Sequence, residues 1–277
     1  MKNNQKSHFI PVFTSETGSC LTLANWQEVG VDKATYDLTS LLMKPGFELL
    51  STLPDLKSYT GWSKNLFLNA AMPKMGREGD YTLRSIYDGS RKRYTQDELL
   101  KLIVQLKPHF VLLPEGMGRV GQALPENIMP FFAPDDLPTL VERAHGVYFF
   151  YDTAMPFSGL VQKILKYKDI PCYVGGELSL SLMLELANIG VEYIASDVPA
   201  RDACLGTIYC KEADFLLKDD AQRLSFALID EKCTCPTCEQ QLTRAYLHHL
   251  LEHTPLLCQR FLIQHNVNCA RLAITRS

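Results

Sequence analysis

The chain has 277 residues, 46% of them hydrophobic and 21% charged, and a net charge of −3 at pH 7. That composition suits a globular protein with a sizeable core, and it gives no global field to attract nucleic acid. DNA is therefore not an expected partner, and any RNA contact must come from a local patch. No apolar run approaches the roughly 20 residues needed to cross a bilayer, so no membrane is expected. The opening Met1-Lys-Asn-Asn-Gln-Lys-Ser-His8 lacks an apolar stretch of signal-peptide length, and nine cysteines is an odd count. Both favour a reducing, cytoplasmic setting.

Short strand-like runs alternate with helical ones along the chain. Candidate strands cover residues 9–14, 65–71, 110–114, 147–152, 172–175 and 193–197. Thr95-Gln-Asp-Glu98 is a capping box ahead of Leu99, Leu102, Ile103 and Leu106. Ser158 precedes a second helical pattern, and residues 178–189 form a third that Gly190 stops. The Pro-rich stretch 124–138 looks like an irregular linker. Strand, helix and strand joined by short connections predict parallel β/α units. The predicted class is α/β, a (β/α)8 TIM-type barrel, whole or incomplete, although an open doubly wound sheet fits the same letters. The expected division is an N-terminal segment (1–64), a β/α barrel core (65–226) and a zinc-binding subdomain (227–277) whose helix starts near Leu242.

Cys233-Thr-Cys235-Pro-Thr-Cys238 places three thiols in one tight knuckle, and His265 lies beyond an intervening helix. Three cysteines and a histidine make a closed tetrahedral Cys3His set, the donor chemistry of one structural zinc ion. His265 is taken as the fourth ligand, with His248, His249 and His253 as near competitors.

The zinc segment resembles that of the tRNA-guanine transglycosylases, also called queuine tRNA-ribosyltransferases. Cys233-x-Cys235-x-x-Cys238, Arg244-Ala-Tyr-Leu-His-His-Leu250 and His265-Asn266 carry the resemblance. Two further segments agree in order: Ile86-Tyr-Asp-Gly-Ser-Arg91 with Thr95-x-x-Glu98, and Val174-Gly-Gly176 followed by Pro199-x-Arg201-x-Ala203-x-x-Gly206. The resemblance implies a barrel with a zinc subdomain and a tRNA substrate whose wobble guanine is exchanged for a queuosine-type base. It also implies a carboxylate nucleophile at the ribose and a second carboxylate as general acid/base.

Against that pattern, the nucleophile's place falls on Ala195 and the acid/base place on Asn69. A methyl group cannot form a glycosyl ester, and a carboxamide cannot cycle a proton near neutral pH. Asp197 is the substitute nucleophile, since strand alternation would keep it on the same face as position 195. Glu115 and Arg201 are the candidate substrate-binding residues, and Asp152 and Glu177 are further strand-end acids. Between Tyr151 and Val174 the chain is too short for the β/α units the family carries there, so that part of the barrel is expected to be shortened or rebuilt. The expected function is a zinc-containing transglycosylase-like protein with impaired or lost catalysis. It would bind tRNA or act as a subunit, in a homodimer or in a heterodimer with a catalytic paralogue. The alternative is an active, divergent queuine/guanine transglycosylase or nucleoside-processing enzyme using Asp197 or another barrel carboxylate.

Overall fold

The computed structural model describes residues 6–72, 75–76, 79–121, 123–139 and 144–276. The first five residues of the opening segment, read above for a leader, lie outside them. Eight strands make up one sheet: β1 (His8–Ile10), β2 (Lys33–Asp37), β3 (Asn65–Asn69), β6 (Phe110–Leu112), β7 (Met129–Phe132), β8 (Gly146–Tyr151), β9 (Cys172–Gly176) and β10 (Tyr193–Ala195). Two more form a hairpin, β4 (Asp80–Arg84) with β5 (Arg91–Thr95), and β11 (Thr207–Ile208) pairs with β12 (Phe215–Leu216).

The sheet order is β1-β10-β9-β8-β7-β6-β3-β2, and β2–β3, β3–β6, β6–β7 and β7–β8 are all parallel pairs. Neighbours in the sheet follow one another in the chain, and the first strand joins the last. That order belongs to the β/α barrel, with β1 and β2 at its two ends, and differs from a doubly wound sheet, where strand order reverses partway. A single α-helix, Phe157–Ile164, lies between β8 and β9.

The chain divides into two compact units, one made of residues 33–175 and 191–193, the other of 1–32, 176–190 and 194–277. In the first, Phe67 of β3 stacks on its register partner Phe110 of β6 with ring centroids 4.3 Å apart. Phe131 of β7, Tyr173 of β9 and Tyr193 of β10 close around the Phe67 ring at 6.1, 5.5 and 5.1 Å. Period-2 alternation sends one ring per strand to the same side, where tilted and stacked contacts fill the interior. The helix Gln96–Leu106 follows from its capping box: Thr95 Oγ1 accepts from Glu98 N, and Glu98 Oε2 accepts from Thr95 N at 2.8 Å.

In the second unit the closing helix Pro255–Arg276 is the spine. It packs on the helix Val198–Leu205, on Arg244–His253 and on β1. Gln264 Nε2 donates to Glu28 at 3.1 Å, tying the N-terminal residues to this helix.

The structure corrects three sequence expectations. The stretch read as an irregular linker contains β7 and a 3-10 turn, Pro134–Thr139. Pro130 hides that strand, because proline is expected only at sheet edges. Here the Pro130 carbonyl accepts from His145 N, while Met129 N donates to His109 O and Phe131 O accepts from Leu113 N. The neighbouring pairings are thus made without the missing N–H. β2 and the β4–β5 hairpin were also absent from the predicted strands. Third, β10 ends at Ala195, and Asp197 has helical backbone angles (φ −97°, ψ −4°) at the start of the next helix. Strand alternation therefore does not carry from position 195 to 197.

Replacing Phe67 by alanine should empty the centre of the ring cluster and cost about 3–5 kcal/mol of stability. Urea unfolding of the variant would show it, and a midpoint unchanged from the parent would contradict this packing account.

Candidate metal centre

The second unit gathers Cys233, Cys235, Cys238 and His265 so that their ligand atoms lie within 4.8 Å of one another. His265 Nδ1 is 3.8, 3.6 and 3.3 Å from the three sulfurs in sequence order. A tetrahedron with metal–sulfur bonds of about 2.3 Å and a metal–nitrogen bond of about 2.0 Å has sulfur–nitrogen edges of about 3.5 Å. The spacing is that of a cage around one ion. This soft, four-coordinate donor set fits zinc.

Local structure explains each ligand's position. Cys238 N donates to Cys235 Sγ at 3.4 Å inside the knuckle, and Asn268 Nδ2 donates to Cys233 Sγ at 3.6 Å. Buried Thr237 donates its hydroxyl to Phe261 O at 2.7 Å, stapling the knuckle to the closing helix. His265 Nε2 donates to the Tyr209 carbonyl at 2.8 Å, which fixes the tautomer and leaves Nδ1 free to bind a metal. The next residue, Asn266, is fully buried; its Oδ1 accepts from Tyr209 N at 3.0 Å, and its Nδ2 donates to the Pro199 and Thr207 carbonyls. Hydrogen bonds from the thiols of Cys235 and Cys238, then Cys269, lower the pKa of the Cys233 thiol.

The competing histidines are engaged elsewhere. His248 Nδ1 donates to the Leu217 carbonyl at 2.7 Å, and the exposed His249 and His253 rings face each other at 4.5 Å. Arg244 of the resemblance motif donates from Nε to Leu228 O and from Nη2 to Ile229 O, with its guanidinium 4.2 Å over Phe215. It braces the segment that leads into the knuckle. Sequence reasoning missed Cys269. One helical turn beyond His265, its Sγ lies 3.6 Å from His265 Nε2, and the i,i+4 spacing was the available signal.

In the same unit, Arg201 Nη1 donates to Glu177 Oε1 at 3.0 Å, with both side chains about half exposed. Glu177, then Asp197 and Asp202, raise the arginine's pKa. Ala195 is buried, and Ser196 locks the turn after it by donating to Leu178 O and accepting from Val198 N.

In the first unit, Asn69 ends β3 and donates from Nδ2 to Asp37 Oδ1, its register partner at the end of β2, at 2.7 Å. Asp37 escaped the sequence reading because its strand did; Lys33-Ala-Thr-Tyr-Asp37 is short and buried on both faces. Glu115 is half-buried just past β6, and its carbonyl accepts from Tyr81 Oη at 2.8 Å. Asp152 is exposed and accepts from Ala154 N in a local turn.

A β/α barrel chain that ends in a Cys3His centre defines a narrow class. The family model described as queuine tRNA-ribosyltransferase matches residues 151–276. A queuine tRNA-ribosyltransferase of Thermotoga neapolitana is 24% identical, the match covering 94% of this chain and 83% of the relative. That of Treponema denticola is 22% identical over 94% of this chain and 82% of the relative. The Clostridium acetobutylicum protein of the same name is 33% identical over 100 residues, 36% of this chain and 26% of the relative. These similarities support a divergent member of the queuine tRNA-ribosyltransferase family, and they imply queuosine modification of tRNA. No helix among the described residues is long and apolar enough to cross a membrane.

Purified protein should carry about one equivalent of metal, and Cys235→Ser should carry well under half of that. Stripping the metal with a chelator should lower helical circular dichroism and the melting temperature, because ligand assembly and folding are one equilibrium. A chelated sample with an unchanged melting curve would refute the coupling.

Proposed function

We propose that this chain is a zinc-braced member of its family that has lost base exchange and serves queuosine modification by binding tRNA or a catalytic paralogue. The observation that carries this reading is Ala195, a buried methyl group where the resemblance calls for a nucleophilic carboxylate. Two further observations support it. Asp197 follows Ala195 into a helix start instead of continuing the strand, and displacement of that kind ruins attack geometry. Glu177 and Arg201 satisfy one another, which favours a structural role for this surface pair, of about 0–1 kcal/mol. A heterodimer with a complete enzyme would supply the missing chemistry, and a homodimer would serve binding alone, in the cytoplasm, where the cysteines stay reduced.

One observation favours the second reading, an active divergent transglycosylase. Asp37 places a carboxylate within hydrogen-bond reach of Asn69, beside the position where the general acid/base is missing. Glu115, just past β6, would then contact the base.

Labelled guanine offered with tRNA decides between the two. No incorporation above the protein-free control is expected, while the tRNA still shifts in a binding assay. Incorporation that is lost in Asp37→Asn or Asp197→Asn would overturn the non-catalytic reading.

A further inference from the structure

The β4–β5 hairpin has one greasy face and one cationic face. Tyr81, Leu83 and Tyr94 are buried, and Tyr81 Oη anchors the hairpin to the Glu115 carbonyl at 2.8 Å. Thr82, Arg84, Arg91 and Arg93 are exposed. Cross-strand pairing sets Arg84 directly opposite Arg91, and Arg93 opposite Thr82, so three guanidiniums share one face. Arg93 has Asp80 at 3.6 Å, but among the described residues neither Arg84 nor Arg91 has an acidic partner. Like charges directly opposite in a ladder are destabilising, and an anionic partner removes that cost.

The turn adds an aromatic element. Ile86 is 84% and Tyr87 58% exposed, and Lys44 Nζ lies 3.7 Å from the Tyr87 ring centre, adding a fourth cation. The one acid in the turn, Asp88, is occupied: its Oδ1 accepts from Ser90 N and Ser90 Oγ at 3.1 and 2.8 Å. Hydrogen bonds from Ser85 and Ser90 hold its pKa at about 2. Gly89 takes φ +72°, which lets the turn close so tightly. Through Tyr81 the hairpin stands at the C-terminal end of β6, the end at which β/α barrels build their substrate sites.

We propose that this hairpin is an RNA-docking surface, on which Arg84, Arg91 and Arg93 follow the phosphate backbone of a single-stranded loop and Tyr87 stacks on one of its bases. Guanidinium forks match phosphate oxygens, and an exposed tyrosine is a sequence-tolerant platform for a splayed base. The local charge supplies what the net charge of −3 withholds. The inference deepens the tRNA-binding reading given above and rests on it.

Fluorescence anisotropy with a fluorescein-labelled tRNA anticodon stem-loop tests it, at several salt concentrations. The double variant Arg84→Ala/Arg91→Ala should bind at least about tenfold more weakly, with a log–log salt slope shallower by about 1.4, since each of two lost phosphate contacts on a single strand contributes about 0.7. Arg84→Lys/Arg91→Lys should keep the slope. Tyr87→Ala should weaken binding several-fold and leave the slope alone. All these side chains are exposed, and matching circular dichroism would verify that the variants fold. Parent protein that binds RNA while the double variant binds it equally well, with the same slope, overturns the hairpin assignment alone. Polyglutamate competing as strongly as RNA overturns it too, in favour of an acidic protein surface. A parent protein that does not bind the stem-loop at all would overturn both this inference and the tRNA-binding reading beneath it.

Discussion

The backbone of Tyr209 is gripped from both sides by two successive residues of the closing helix. His265 donates to its carbonyl and Asn266 accepts from its amide, at 2.8 and 3.0 Å. The first bond orients an imidazole nitrogen toward three sulfurs; the second, with two more from the same carboxamide, ties the backbone of Tyr209, Pro199 and Thr207 to the closing helix. A buried polar group left unpaired costs about 1–3 kcal/mol, so the arrangement holds only if every bond is made. The His-Asn dipeptide is thus one device with two jobs, presenting a metal ligand and fixing the turn that the ligand leans on.

Around that device the second unit is tied together by polar contacts from residues distant in sequence. Thr237 staples the knuckle, Arg244 braces the segment before it, and Gln264 reaches Glu28 near the chain's start. The barrel unit is held differently, by rings from five strands packed against one another. A pair of side chains such as Asn69 and Asp37 is stabilised by each other and asks nothing of a substrate.

The alternating strands and helices were legible because burial imposes period 2 on strands and period 3.6 on helices. Six of the eight sheet strands showed that way. Pro130 concealed β7, and β2 is only five residues long, with its first four buried on both faces. The loss of β2 from the reading took Asp37 with it. The Asp88-Gly89-Ser90-Arg91 turn was visible in the letters, but its role in lining up three arginines on one face was not. Cross-strand pairing is a register property, and one residue of slip would reverse which side chains face solvent.

By itself the sequence determined the donor set, the family and the absence of a carboxylate at position 195, because each depends on residue identity and short spacing. The tertiary structure decided which histidine meets the thiols, where Asp197 stands after β10, and that an arginine pair faces outward on a hairpin. Those outcomes turn on where separate segments end and on which carbonyl or strand each meets. Hydrogen bonds and packing between residues far apart in the chain set them, and no local pattern records such pairings.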